Sequence, residues 1–190
     1  MANLFQNQDI SNFYQEALGR DFARTNLFRI LYITSGTTNI SFESNDLVYL
    51  TTTTVPQRAI NNVKVPFMGL GFNVPGTANY PGSDAWQVTF RMPQDLGIRS
   101  KLELWTRGTF DDATSTGAYN LSDLGEVGLA LMGKNGAPIR LYTLKGAYCV
   151  NIGAYNLNIT TAGEIVEQQA TIAYQYWIQP EASSILPLVG

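Results

Sequence analysis

The sequence contains no histidine and a single cysteine. The first absence removes Ser–His and Cys–His nucleophile pairs, imidazole metal ligands and the commonest general base. The second excludes an internal disulfide. Cys149 lies in the apolar run Ala147-Tyr148-Cys149-Val150, which reads as a buried, inert thiol. Charge is also scarce: Asp, Glu, Lys and Arg make up 14% of the chain, well under the roughly 25% of an average soluble domain. The net charge is −3 and no basic run occurs, which argues against tight nucleic-acid binding through phosphate neutralisation. A weak acidic excess still suits a surface that DNA passes without sticking. No stretch reaches the roughly 18 apolar residues of a membrane-spanning helix. The opening Met1-Ala2-Asn3-Leu4-Phe5-Gln6-Asn7-Gln8 has neither the basic start nor the apolar run of a signal peptide, so the product is expected to be made in a cytoplasm.

What is present is apolar and β-rich. With 190 residues, 45% of them hydrophobic, the chain can build one domain with its own core, without metals or staples. A low charge density on a folded chain points to a surface that something covers. Self-assembly is the simplest cover; a polar Thr/Asn/Gln surface with no partner is the alternative.

Along the chain, Phe5, Ile10, Phe13, Tyr14, Ala17 and Leu18 can share a stripe of a short helix around 9–18, ending at Gly19, which reads as an arm. Strands are expected at Leu27–Ile33 and Leu47–Thr54, with brief alternation at Ile40–Glu43 and a stop at Pro56. Residues 61–85 hold Pro66, Gly69, Gly71, Pro75, Gly76, Pro81 and Gly82, and read as the least regular part: a long hairpin or protruding loop. Its Phe67, Met68, Leu70 and Phe72 argue for a partner surface. In Trp86–Met92 the residues Trp86, Val88, Phe90 and Met92 alternate toward a core. A helix follows over 94–106, with Ile98, Leu102 and Trp105 on its apolar stripe and Asp95, Arg99, Glu103 and Arg107 as opposite charges four apart. Residues 108–124 read as a loop. Val127–Met132 and Ile139–Leu144 flank the hairpin turn Asn135-Gly136. A third strand continues through Tyr148–Ile152, and a long last one runs from Val166 to Ile178 with Ile172, Tyr174, Tyr176 and Ile178 on one face. Residues 180–190 form an apolar tail.

Nothing here assembles recognisable chemistry. Asp111-Asp112 is the adjacent carboxylate pair and reads as a solvated turn. Gly69-Leu70-Gly71 lacks the third glycine and following helix of a dinucleotide site, and Gly133-Lys134-Asn135-Gly136 is a turn, not a phosphate loop. No catalytic residue, cofactor or metal is expected. Ten tyrosines and three tryptophans could make a stacking platform in a β-sandwich glycan-binding module, but most fall on apolar strand faces, where core and interface are the default.

The segment Asp21-Phe22-Ala23-Arg24-Thr25-Asn26-Leu27-Phe28 resembles the entry to the first strand of tail tube proteins from contractile-tailed, T-even-like bacteriophages. The likeness continues in order through Val65-Pro66-Phe67-Met68, Trp86-Gln87-Val88-Thr89-Phe90, the helix carrying Trp105, Lys145 to Gly153, and Ile165 through Tyr176-Trp177. It spans about 21–178; residues 35–50 and 108–124 match poorly, and the two ends extend beyond the family core. The resemblance implies an arm at 1–20, a tail-tube domain at 21–179 and a tail at 180–190. It implies a mainly β subunit, an antiparallel β-sandwich or barrel with one flanking α-helix, forming a hexameric ring with a shared inner β-barrel. The rings stack into a conduit for DNA ejection, in a virion tail assembled in the host cytoplasm. The implied partners are further copies, the sheath protein, and baseplate and tape-measure proteins, with DNA only in passage. Baseplate tube-initiator and tube-terminator proteins share the fold and are the alternative. On that reading Phe67, Met68, Leu70 and Phe72 make ring-to-ring contacts. The helix face with Arg99, Glu103 and Arg107 meets the sheath. Thr51 and Thr53, Asn156 and Asn158, and Glu167, Gln169 and Thr171 line the lumen.

Overall fold

Strict alternation builds the centre. In Trp86–Arg91 the residues Trp86, Val88 and Phe90 are buried and Gln87 and Arg91 exposed, as a strand with one packed face requires. The computed structural model describes residues 10–19, 22–36, 40–117, 120–160 and 163–180. The elements in order are α1 (Ile10–Gly19), β1 (Phe28–Thr34), α2 (Ser44–Leu47), β2 (Leu50–Thr53), β3 (Ala59–Phe67), β4 (Leu70–Asn79), β5 (Trp86–Arg91), α3 (Gly97–Thr109), β6 (Phe110–Asp111), β7 (Thr116–Gly117), β8 (Gly125–Met132), β9 (Pro138–Ile152), β10 (Glu167–Ala173) and β11 (Tyr176–Ile178).

The main sheet has the order β1-β8-β9-β10-β5-β2, with β11 also paired to β9 and the partners antiparallel. β9 is the spine. Its first part pairs with β8 and β11; its last residues, Tyr148–Ile152, pair with β10. The expected break between two strands there does not occur. Gly146 (φ +67°) makes a bulge opposite the Gly125/Glu126 step, so one 15-residue strand bends and serves both halves. Between the halves lies the core: Ile30 and Ile33, Val127 and Leu129, Tyr142 and Leu144, Val88 and Phe90, Ala170 and Ile172. α3 covers it with Ile98, Leu102 and Trp105, all nearly inaccessible to solvent, as the sequence periodicity predicts. Phe42 closes one side, 6.2 Å from the Phe90 ring and 6.3 Å from Trp105.

Several boundaries differ from the sequence expectations. The strand anticipated from Leu47 begins at Leu50, because Ser44–Leu47 form a helical turn. There the Asp46 carboxylate accepts the Glu43 N–H at 2.9 Å and the Lys101 ammonium at 2.6 Å. The last strand is two. Ala173 and Tyr174 are both buried, which breaks the alternation, and Tyr176 and Ile178 beyond it are exposed. Residues 108–124 hold a short β6–β7 ladder and a 3-10 turn at Leu121–Asp123. The hairpin turn at Asn135-Gly136 is present, with Gly136 at φ +74°. Finally, the sheet does not close into a barrel. β1 and β2 are its ends, and the cleft they border, about 520 Å³, is lined by Thr25, Asn26, Phe28 and Leu50–Thr53. The tail at 181–190 and the start of the arm at 1–9 lie outside the described residues.

Candidate assembly surfaces

Residues 61–85, expected to be a long hairpin or protruding loop and the least regular part, are mostly a hairpin more regular than expected. β3 and β4 pair with Val63 opposite Val74, Val65 opposite Phe72, and Phe67 opposite Leu70, closed by a two-residue turn at Met68-Gly69. Met68 at φ +48° and Gly69 at φ +80° carry the turn. Directly opposed residues share a face. One face is therefore Val63, Val65, Phe67, Leu70, Phe72 and Val74; the other is Asn62, Lys64, Pro66, Gly71, Asn73 and Pro75. Apart from Ala59 at its base, every residue of both strands is exposed. A two-stranded ribbon is marginal by itself in water, and a contiguous apolar face marks an interaction site. The stem is held firmly. The Trp86 indole N–H donates to the Thr54 carbonyl at 2.7 Å, the Trp177 indole N–H to the Gln57 carbonyl at 3.0 Å, and Pro56 between them is buried.

A second surface is polar. On the outer face of β9-β10-β5-β2, Asn151, Thr171 and Gln87 form one row, Gln169, Thr89 and Thr52 the next, and Glu167 and Arg91 the last. The Gln169 amide donates to the Gln87 carbonyl oxygen at 2.9 Å, and Arg91 lies 3.7 Å from Glu167. The cation on this face is thus neutralised by its neighbour.

Between sheet and helix sits a buried polar knot. Gln168 lies opposite Phe90 on the core side and is inaccessible to solvent. Its oxygen accepts Arg99 Nη1 at 2.6 Å; its nitrogen donates to the Gly153 and Gln169 carbonyls at 2.6 and 2.8 Å. Arg99 also bonds Glu103 at 2.8 Å and lies over the Tyr155 ring at 5.1 Å. Among the described residues no cluster of three or more Cys, Asp or Glu is placed to hold a metal. Cys149 is buried, and burial pushes its thiol up to about 12. Asp111 stays in a solvated turn, where the Thr114 hydroxyl and the Ala113 N–H lower its pKa.

No protein-family model and no curated protein sequence matches the chain. Solved structures do. A chain of the six-fold symmetrised anti-feeding prophage baseplate superposes with a TM-score of 0.62 at 11% identity, covering 86% of this chain and 98% of that one. The fold is that of contractile injection system components. A chain of the anti-feeding prophage tube-terminating cap gives 0.54 at 13% identity, covering 85% and 92%. One from the extended sheath–tube complex of an extracellular contractile injection system gives 0.52 at 10%, covering 87% and 96%.

On this contractile-injection fold the sequence-selected residues separate. Phe67, Leu70 and Phe72 come together on one ribbon face with Met68 at its tip, and Val63, Val65 and Val74, also exposed, join them. The valines were legible only once the register was known. Glu167, Gln169 and Thr171 share the polar wall. Thr51 and Thr53 do not join it: a bulge between Leu50 and Thr52 shifts the phase, so Thr52 faces outward and Thr53 pairs with Val88 on the core side. Asn156 and Asn158 lie outside any strand, and Asn158 accepts the Thr160 N–H at 3.0 Å. On α3, Arg99 and Glu103 are tied inward and to each other, while Ser100, Leu104 and Arg107 are the exposed stripe. Gln168 and Leu104 are the residues that sequence reasoning missed. A glutamine in Glu-Gln-Gln-Ala-Thr carries no signal of its burial, and Leu104 falls off the apolar stripe.

Proposed function

We propose that this chain is a structural subunit of the tube layer of a contractile tail or injection machine. It assembles as six-fold rings that stack into a conduit. The observation that carries this reading is the amphipathic β3–β4 ribbon: an apolar face on a held stem that none of the described residues covers. Three further features support it. The fold is shared with baseplate, cap and sheath–tube components of such machines. The ends of the sheet at β1 and β2 are not paired to each other; apart from the Thr34–Ser41 bridge the β1 edge is open, and open edges seek partners. The polar wall of Gln, Thr and Asn, with Arg91 neutralised by Glu167, suits a lumen that DNA passes without counterion release. In this assembly the ribbon bridges rings, and the outer stripe of α3 meets the sheath.

The baseplate match, at a TM-score of 0.62 against 0.52 for the sheath–tube complex, favours a second reading. There the subunit starts the tube at the baseplate. Electron microscopy of the purified protein across a concentration series separates the two. Long stacked tubes support the tube subunit, single rings or short stacks an initiator or terminator. Monomers at every concentration overturn both.

A further inference from the structure

Two apolar faces are left uncovered by the described residues. The first is the ribbon face of Val63, Val65, Phe67, Leu70, Phe72 and Val74. The second is α1: Ile10, Phe13, Tyr14, Ala17 and Leu18 recur at the spacing of a single helical stripe. No residue of α1 is buried, and Ile10 is 84% and Leu18 71% exposed. Within the described residues the stripe meets the Phe22 ring, 6.0 Å from Phe13, and a short helix with so exposed a stripe holds its shape chiefly by packing on something.

We infer that α1 of one subunit docks on the apolar ribbon face of a neighbouring copy. The two faces match in size. From Ile10 to Leu18 a helix rises about 12 Å, and from Val63 to Phe67 a strand advances about 13 Å. They match in chemistry: each is apolar along its whole length, with aromatic rings at Phe13 and Tyr14 on one side and at Phe67 and Phe72 on the other. Their exposed side chains amount to roughly 1,000 Å², taking about 150–250 Å² for a whole aromatic. That approaches the lower bound of a specific interface, about 1,200 Å². A membrane fits α1 less well, because Ser11, Asn12, Gln15 and Glu16 on its polar side include no basic residue for lipid headgroups. The contact is heterologous: each copy gives a helix to one neighbour and offers a ribbon to another, the pattern that generates closed rings or stacks. The inference rests on the ring-forming reading and names the ribbon's occupant within it.

The test uses the full chain. A tagged F13C variant and an untagged F67C variant are mixed, assembled and oxidised. A disulfide joining tagged to untagged chain is expected. It should be absent when either variant is oxidised alone. Rings or tubes without the mixed disulfide overturn the docking and leave the ring-forming reading standing; a wild-type protein that stays monomeric overturns both. A disulfide within one chain of the F13C/F67C double variant, kept dilute as monomer, also overturns the docking. As a second measurement, Phe13→Ser with Leu18→Ser should raise the concentration needed for assembly at least about tenfold, the ratio that about 1.4 kcal/mol represents. Its melting curve should shift little, since no residue of α1 is buried and Phe13 gives up only its ring contact with Phe22. Assembly at the wild-type concentration would count against the contact.

Discussion

At the scale of single residues, the decisive polar group is Gln168. A fully buried amide is tolerated only when its hydrogen bonds are made, and here Arg99, Gly153 and the Gln169 carbonyl make them. Gln168→Ala should cost about 1–3 kcal/mol, because it strands the Gly153 carbonyl and one Arg99 donor. Urea unfolding of Gln168→Ala, Arg99→Ala and the double variant checks this. The pair should be non-additive by at least about 0.5 kcal/mol, and full additivity would mean that the two side chains act independently. Cys149 gives a pH-dependent test. Its thiol, normally near 9.0, is held at about 12 by burial. The folded state therefore keeps the proton longer than the unfolded chain, so this contribution to stability is complete below pH 9 and is lost between 9 and 12. At pH 8.5 iodoacetamide should label the native protein at least about 100-fold more slowly than the urea-unfolded chain, since the thiolate is the nucleophile; equal rates would contradict the burial. The inert thiol was legible from its apolar neighbours. The Gln168 knot was not, since it depends on which way β10 faces and on a helix some 70 residues earlier in the chain.

At the scale of elements, legibility followed periodicity. β5 and the buried stripe of α3 were readable because period 2 and period 3.6 run through them without interruption, and the β8–β9 hairpin because Asn135-Gly136 divides two apolar runs. Three misreadings share one cause, a change of phase that only pairing reveals: the bulge in β2, the paired burial of Ala173 and Tyr174, and the Gly146 bulge that keeps β9 whole. The ribbon was legible as one of two readings, a hairpin or a loop. Pro66 and Pro75 kept the loop open, yet in a two-stranded ladder each strand has an open edge that tolerates a residue without an N–H. Replacing residues 60–78 with a short Gly-Ser turn should leave a folded monomer, because none of those residues is in the core, and should abolish assembly by sedimentation velocity. Normal assembly would remove the ribbon from the interface. On α3 the informative change is Leu104→Ser with Arg107→Glu, which touches only exposed positions. Tubes should form normally and sheath recruitment should weaken. Failure of the tubes themselves would place this helix face inside the ring contact. Reversing Arg99 and Glu103 would be a poorer probe, because it breaks the anchor to Gln168.

At the scale of the whole molecule, the polar wall has a kinetic consequence if it lines the conduit. Lysines introduced at Thr89 and Gln169 would each add a phosphate contact. Particles should still assemble, and release DNA more slowly, with the delay shrinking as salt rises. Unchanged release, with both lysines shown to face the lumen, would defeat the electrostatic account. The sequence reading placed Gln169 on such a wall but could not identify Thr89, whose position follows from its register with Gln169. β9 bears on a different property, the response to mechanical load. Because one continuous strand belongs to both halves of the sheet, a pull or push on either half reaches the other along covalent backbone rather than across side-chain packing alone. Separating the halves means shearing the β9 hydrogen bonds together, not peeling them one at a time. The body should therefore behave as a stiff block under thrust, with compliance concentrated in the ribbon that projects from it.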